Sequence, residues 1–211
     1  MDLNEIIYGN PNINQLLYLN SDNYLDSLLP ELKSLPPYQN SSQDVLTEID
    51  LVNTHVQLLR SSLDEIPKAL NYDANFEKYI EEKLGEYPSV SQDIVELHKE
   101  VVPLIMKLKF HYNRIRPSQL ACLRKVELTP FKTYSSDSPS YPSAHAFQSK
   151  IYAEVLGNKY PKYYRALQTL AADIAKSRTY LGVNYASDIS FGIYCAEVVL
   201  KHPDFRKKHR L

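Results

Sequence analysis

The sequence has 211 residues, which is enough for one domain with a full apolar core and short for two. Hydrophobic residues make up 44% and charged residues 23%, with a net charge of −1, so the composition is that of a globular protein and argues against the disordered and membrane classes. A near-neutral charge also gives no general reason to expect binding to a nucleic-acid polymer or a membrane surface.

Residues 1–40 contain only short helical candidates and end shortly after a double proline. We expect an N-terminal arm packed on the core or at an oligomer contact, with a flap over a functional site as the alternative. The segment after Met1 lacks the basic and apolar regions of a signal peptide. The protein is therefore expected to be cytoplasmic if Met1 is the native start, and periplasmic or secreted if a signal peptide was removed. Cys122 and Cys195 can pair or stay free, so they do not fix the compartment.

The domain 41–211 opens with apolar residues that recur at three- and four-residue steps, the pattern of an amphipathic helix. Ser41 or Ser42 is a suitable N-cap, and Pro67 is expected to end this first helix. A second helix is predicted for Asn75–Leu84, closed by the glycine that follows it.

A long helix is predicted next, opened by Ser89 or Ser91 and kinked at Pro103. Lys109 and Arg116 are seven residues apart, almost two turns, so they would project to the same side if the helix ran that far. The proline after Arg116 disfavours helical geometry there, so the helix should end near that residue.

Residues 118–141 are rich in turn formers and predict a long irregular loop, which in a compact domain is usually functional or mobile. Helices are predicted again for about 143–156, 162–182 and 187–203. No segment alternates with period two, and five glycines against thirteen prolines suit helices broken by proline. The predicted class is all-α, a single helical domain.

Three separated segments contain the residue types of an anion site, namely 109–117, 141–145 and 176–188. Each alone has a common structural explanation, because a cation on a helix usually faces solvent and a lone histidine is usually packed or exposed. Together they converge on one task. Lys109, Arg116 and Arg178 would neutralise a dianionic phosphate, with the guanidinium groups donating paired hydrogen bonds to its oxygens.

The remaining residues of the set suggest proton transfer beside that anion. Ser143 and the amides at the start of its helix can donate to a phosphate, helped by the helix dipole. His145 is the natural proton donor to a leaving alkoxide. Asp188 comes four residues after Asn184, on the same helix face, so it can orient that side chain.

The motifs Lys-x6-Arg-Pro, Pro-Ser-x-His and Ser-Arg-x5-Asn-x3-Asp occur here in one order. With histidine in place of the asparagine, this is the signature of the phosphatidic acid phosphatase type 2 and vanadium haloperoxidase superfamily, and every fixed spacing matches. The sequence resembles most the bacterial class A non-specific acid phosphatases. The resemblance extends from the Leu-Pro-Pro at 35–37 to the His-Pro-Asp-Phe at 202–205.

The resemblance implies an all-helical bundle, a homo-oligomer and a phosphatase site that needs no metal or cofactor, with vanadate as a possible phosphate mimic. It implies that the phosphate of a soluble ester, such as a nucleotide or sugar phosphate, is held by Lys109, Arg116, Ser143, the Ala144 amide and Arg178. It also implies that His145 is the general acid and that the histidine of the third motif attacks phosphorus to form a phosphohistidine, oriented by Asp188.

Two residues depart from the family pattern. Ala144 replaces the usual glycine, a mild change if the backbone there is ordinary. Asn184 replaces the nucleophilic histidine, and its amide nitrogen cannot attack phosphorus because its lone pair is delocalised into the carbonyl. The site is therefore expected to bind a phosphate ester and to turn it over very slowly.

Three explanations of Asn184 remain open at this stage. It is a deliberate substitution of histidine that traps substrate in an otherwise active phosphatase, or the mark of a natural phosphate-binding protein that has lost catalysis. A vanadate-dependent haloperoxidase is the third reading, although that activity needs imidazole as the vanadium ligand. Tyr134, Tyr141 and Tyr180 are candidates for stacking on the organic group of an ester, with ordinary packing as the alternative.

Overall fold

The computed structural model describes residues 2–85 and 87–211, and within these residues the fold is all-helical with no strand. This confirms the predicted class. The α-helices, in chain order, are α1 (Ile13–Leu19), α2 (Leu29–Leu32), α3 (Gln43–Arg60), α4 (Glu65–Lys83), α5 (Val90–Tyr112), α6 (Pro117–Arg124), α7 (Ala144–Lys159), α8 (Tyr164–Tyr180), α9 (Ala186–Lys201) and α10 (Pro203–His209).

Two of the predicted helix starts and one predicted stop are confirmed, and all three depend on local chemistry. The Ser42 side chain accepts a hydrogen bond from the Val45 amide and caps α3. Ser143 caps α7 in the same way, through the Ala146 amide. The chain leaves α8 through Gly182, whose φ of 80° is a backbone conformation that residues other than glycine rarely adopt.

Other boundaries differ from the prediction around α4. The first helix ends at Arg60, and Pro67 lies in the first turn of α4, where its missing N–H has no helical partner to lose. The segment predicted to start at Asn75 is the second half of α4, after a break at Asn75 with φ −164° and ψ 75°. Proline therefore marks a helix start here, not an end.

The helix that contains Lys109 ends four residues before Arg116, so the two cations do not share a helix as they would have if it had run that far. α5 runs through Pro103 and ends at Tyr112, because Asn113 adopts a left-handed conformation with φ 49°. Arg116 is instead the N-terminal flanking residue of α6. The loop expected over 118–141 is therefore shorter than predicted, because its first residues belong to α6 and only the residues after α6 are irregular. The predicted stop at 157 is also wrong, since α7 continues to Lys159.

The core forms where α7 packs against α5, α8 and α9. α9 approaches the start of α7 so closely that a Cβ on Gly192 would lie 2.5 Å from the Ser143 carbonyl oxygen. Leu25 and Leu32 bring residues of the N-terminal 40 into this core. Cys122 is exposed and Cys195 is buried, and both are free thiols. No helix in the described ranges has the length and apolar character to cross a bilayer.

Candidate active site

A cavity of about 290 Å³ lies between α1, α5, α7, the C-terminal end of α8 and the loop before α7. Six of the sequence-predicted residues line it: Lys109, Arg116, Ala144, His145, Arg178 and Asn184. The other two, Ser143 and Asp188, are buried and outside the lining. Clefts of about 360 and 570 Å³ elsewhere contain none of these residues.

Lys109 and Arg116 are buried cations whose protein partners are main-chain carbonyls. The Lys109 ammonium donates to the Pro139 carbonyl at 2.6 Å. The Arg116 guanidinium donates to the Ser138 carbonyl at 2.9 and 2.6 Å and to the Val183 carbonyl at 2.7 Å. Carbonyl dipoles solvate these cations and leave the net positive charge in place.

Burial and mutual repulsion act on both cations in the same direction. Loss of water lowers the pKa of Lys109 well below its ordinary value, and the neighbouring Arg116 lowers it further. Burial, followed by the charge of Arg178, lowers the pKa of Arg116 to about 10. A cluster with these shifts is stabilised by an anion that enters it.

Arg178 has a carboxylate partner that the motifs did not identify. Its guanidinium donates to Asp73 Oδ1 at 2.7 Å and to Ser135 Oγ at 3.1 Å. Asp73, one of the last residues before the break in α4, also accepts from the Tyr134 amide at 2.6 Å. Among the residues that the structure describes, the buried Arg178 Nε atom has no hydrogen-bond partner. One donor of this arginine therefore remains unused on a side chain that lines the cavity.

His145 stands in the first turn of α7. Its Nε2 atom lies 3.3 Å from the Asp73 carbonyl oxygen, which can only accept, so Nε2 carries a proton. Burial, followed by the charge of Arg178, lowers the pKa of His145 well below its ordinary value. Ala144 is the first residue of α7 and has no positive φ, so its methyl group does not strain the backbone at this departure from glycine.

Asn184 is buried, and both its amide hydrogens have acceptors. Nδ2 donates to the Ser140 carbonyl at 2.8 Å and to Asp188 Oδ2 at 3.0 Å. Its Oδ1 lies 3.5 Å from an Arg116 nitrogen, at the limit of a hydrogen bond. Asp188 thus contacts the residue at position 184, but the two do not share a helix face as predicted, because Asn184 lies before the start of α9.

A second ion-pair network supports Asp188 from behind the site. Arg114 donates to Asp188 Oδ1 at 2.6 Å and to Glu48 Oε2 at 2.9 Å. Glu48 also accepts from the Ser187 amide at 2.6 Å, which fixes the start of α9. The sequence contained a signal for this network, since Glu48 is an acidic residue on the apolar stripe of α3 between Val45 and Val52. No comparable signal marks Asp73.

Within the described parts of the chain, no group of three or more histidine, cysteine, aspartate or glutamate side chains is arranged to hold a metal ion.

One family model matches part of the chain, in the segment that contains the motifs. Residues 99–202 match the model of the PAP2 superfamily, and the match includes every motif residue from Lys109 to Asp188. Among solved structures, the chain is similar to a transmembrane PAP2-type phosphatidylglycerolphosphate phosphatase from Bacillus subtilis, with 16% identity and a TM-score of 0.41 over 92% of this chain and 83% of that one. No curated protein matches the sequence significantly. The match of residues 99–202 to the PAP2 superfamily model supports phosphoester hydrolysis in general.

Proposed function

We propose that the cavity is the active site of a metal-independent phosphomonoester hydrolase for soluble esters, in which Asn184 occupies the place of the nucleophile. The site then binds the phosphoryl group of its ester and turns over very slowly. The observation that carries the proposal is the burial of Lys109 and Arg116, whose hydrogen-bond partners among the described residues are carbonyl oxygens, beside an Arg178 whose Nε has no partner there. The carboxylates of Asp188 and Asp137 offset part of this buried charge, and a tetrahedral dianion in contact with the cations would offset it further.

The start of α7 adds uncharged donors to this cradle. The Ala144 and His145 amides belong to the first turn of a 16-residue helix, so they lack helical acceptors and carry the positive end of its dipole. The Ser143 hydroxyl accepts the capping hydrogen bond and keeps its own proton to donate. These groups would hold the equatorial oxygens of a phosphoryl group in transfer.

The chemistry that the site lacks is the nucleophile alone. In an Asn184→His variant, the imidazole would form an N–P bond while the P–O ester bond breaks, and protonated His145 would give its proton to the leaving oxygen. Water, losing a proton to His145, would then displace the histidine and release phosphate. Asp188, already in contact with position 184, would orient the new imidazole.

The test compares phosphate release from an aryl phosphate by the unchanged chain and by Asn184→His. We expect the variant to gain about 10⁴–10⁶ in turnover, the usual effect of a nucleophile. Asn184→His/Asp188→Asn is the matched control, since it keeps the imidazole and loses its orienting carboxylate. An inactive Asn184→His protein that still binds sulfate would reject the hydrolase proposal.

A second candidate is a phosphate-ester binding protein without catalysis. It is favoured by the fit of Asn184, whose amide hydrogens are both used and whose side chain is buried. Tight stoichiometric binding by the unchanged chain, with no turnover after Asn184→His, is the result that this candidate predicts.

A further inference from the structure

The cavity continues beyond the cations along α5. Lys109, Met106, Val102 and His98 all line it, and they occupy successive turns of the helix. Lys109 comes eleven positions after His98, which corresponds to about 16 Å of helix axis. The cavity is therefore longer than a phosphate group, with a cationic end at Lys109 and an uncharged, apolar wall towards His98.

The far end contains a hydrogen-bonding pair formed by Gln148 and His98. Gln148 stands three residues after His145 on α7 and is 7% exposed. Its Nε2 atom lies 3.3 Å from His98 Nδ1 and 3.3 Å from the Tyr152 hydroxyl, so both amide hydrogens have acceptors. The Gln148 carboxamide oxygen accepts no hydrogen bond within the described residues.

The same pair fixes the proton of His98. Because Nδ1 accepts from Gln148, the ring proton of neutral His98 is on Nε2, which has no partner among the residues described. Glu77 Oε1 lies 4.0 Å from Nδ1, and burial lowers the pKa of His98 and raises the pKa of Glu77, so burial shifts both groups towards their neutral forms. The pair thus offers one acceptor and one donor without charge.

A short helix of the N-terminal segment also lines the cavity. α1 contributes Gln15 and Tyr18 to the lining. Gln15 is buried, and its Nε2 atom donates to the Asp137 carbonyl at 2.9 Å, which ties α1 to the loop that also lines the cavity. With a volume of about 290 Å³, the enclosed space is at the small end of ligand pockets and suits a compact organic group.

We propose that this far end is a base-recognition subsite for a nucleoside monophosphate, in which Gln148 Oε1 accepts from an exocyclic amino group and His98 Nε2 donates to the adjacent ring nitrogen. A side-chain pair with one donor and one acceptor matches the edge of adenine. Val102 and Met106 supply the apolar surface between this edge and the phosphate. The inference rests on the proposed function for the placement of the phosphate.

The experiment measures equilibrium binding of adenosine 5′-monophosphate, ribose 5-phosphate and sulfate to the unchanged chain and to His98→Phe and Gln148→Met. We expect adenosine 5′-monophosphate to bind at least about tenfold more tightly than ribose 5-phosphate, from two added hydrogen bonds and apolar burial. Each substitution should weaken the affinity for the nucleotide by about threefold to tenfold and leave the affinities for ribose 5-phosphate and sulfate unchanged. His111→Phe, on the exposed end of α5, is the control.

The outcomes separate this inference from the proposed function. Equal affinity for the nucleotide and ribose 5-phosphate, or an equal loss of all three ligands in both variants, would overturn the base subsite. Failure of sulfate and ribose 5-phosphate to bind, with nucleotide binding that still depends on His98 and Gln148, would overturn the phosphate cradle and keep the subsite.

Discussion

Two arginines that stand two residues apart have opposite surroundings. Arg114 donates to the carboxylates of Glu48 and Asp188, whereas Arg116 donates to main-chain carbonyls. Both side chains are buried. A buried cation can therefore have two roles. A guanidinium between carboxylates stabilises the packing of the helices that contain them, whereas a guanidinium surrounded by carbonyl dipoles keeps its charge available for a ligand.

The largest effect on stability should come from Arg114→Met, which leaves Glu48 and Asp188 buried without their cation. We expect a loss of about 3–5 kcal/mol in the free energy of unfolding, measured by chemical denaturation. Arg165→Met, at an exposed position of α8, is the control and should change stability by less than about 0.5 kcal/mol. If Arg114→Met costs no more than this control, the two arginines do not differ as described.

Arg116→Met should show the reverse pattern. It removes a desolvated cation and leaves carbonyls unpaired, so the free energy of unfolding should fall by less than about 2 kcal/mol. Sulfate binding, followed by calorimetry, should weaken by about 2–5 kcal/mol because the anion loses a charged donor. An unchanged sulfate affinity would place the anion elsewhere in the molecule.

The smallest expected effect concerns His145 and is a dependence of sulfate binding on pH. Burial and Arg178 lower the pKa of His145 in the free site, and a bound dianion raises it, so binding takes up a proton. Affinity should increase as the pH falls below about 6.5, by at most about tenfold per pH unit for one proton. Sulfate keeps its charge in this range, which phosphate does not.

The control for this prediction is His145→Gln, which should flatten the profile unless Lys109 also titrates. In the absence of an anion, the pH dependence of folding stability has the opposite sign to that of sulfate affinity. The pKa of His145 is lower in the folded than in the unfolded chain, so the unfolded chain takes up the proton first as the pH falls. The stability of the free protein should therefore fall as the pH decreases through about 6.5. An affinity that rises with pH would contradict the assignment of His145 as the proton acceptor.

The parts of the structure that the sequence predicted are those set by local chemistry or by spaced motifs. Ser42 and Ser143 cap their helices through amides three residues away, so a short pattern was sufficient. Six residues of the cavity lining followed from three motifs in order. No such pattern identifies Asp73, because its partner Arg178 is 105 residues away on another helix.

The end of α5 was missed for a similar reason. Asn113 exchanges hydrogen bonds with Gly9 through its side chain, at 3.1 and 2.9 Å, and accepts from the Tyr8 amide at 2.9 Å. These contacts with the N-terminal segment favour the left-handed turn that stops the helix. Local propensity placed the end only near the next proline, whereas a tertiary contact sets the boundary.

The carbonyl partners of Lys109 and Arg116 also have a kinetic consequence. Dipoles cancel none of the net charge, so the positive potential of these side chains extends through the mouth of the cavity and raises the local concentration of dianions there. Capture of a phosphate ester should then be fast at low ionic strength and slow as salt screens the field, with the release rate nearly unaffected.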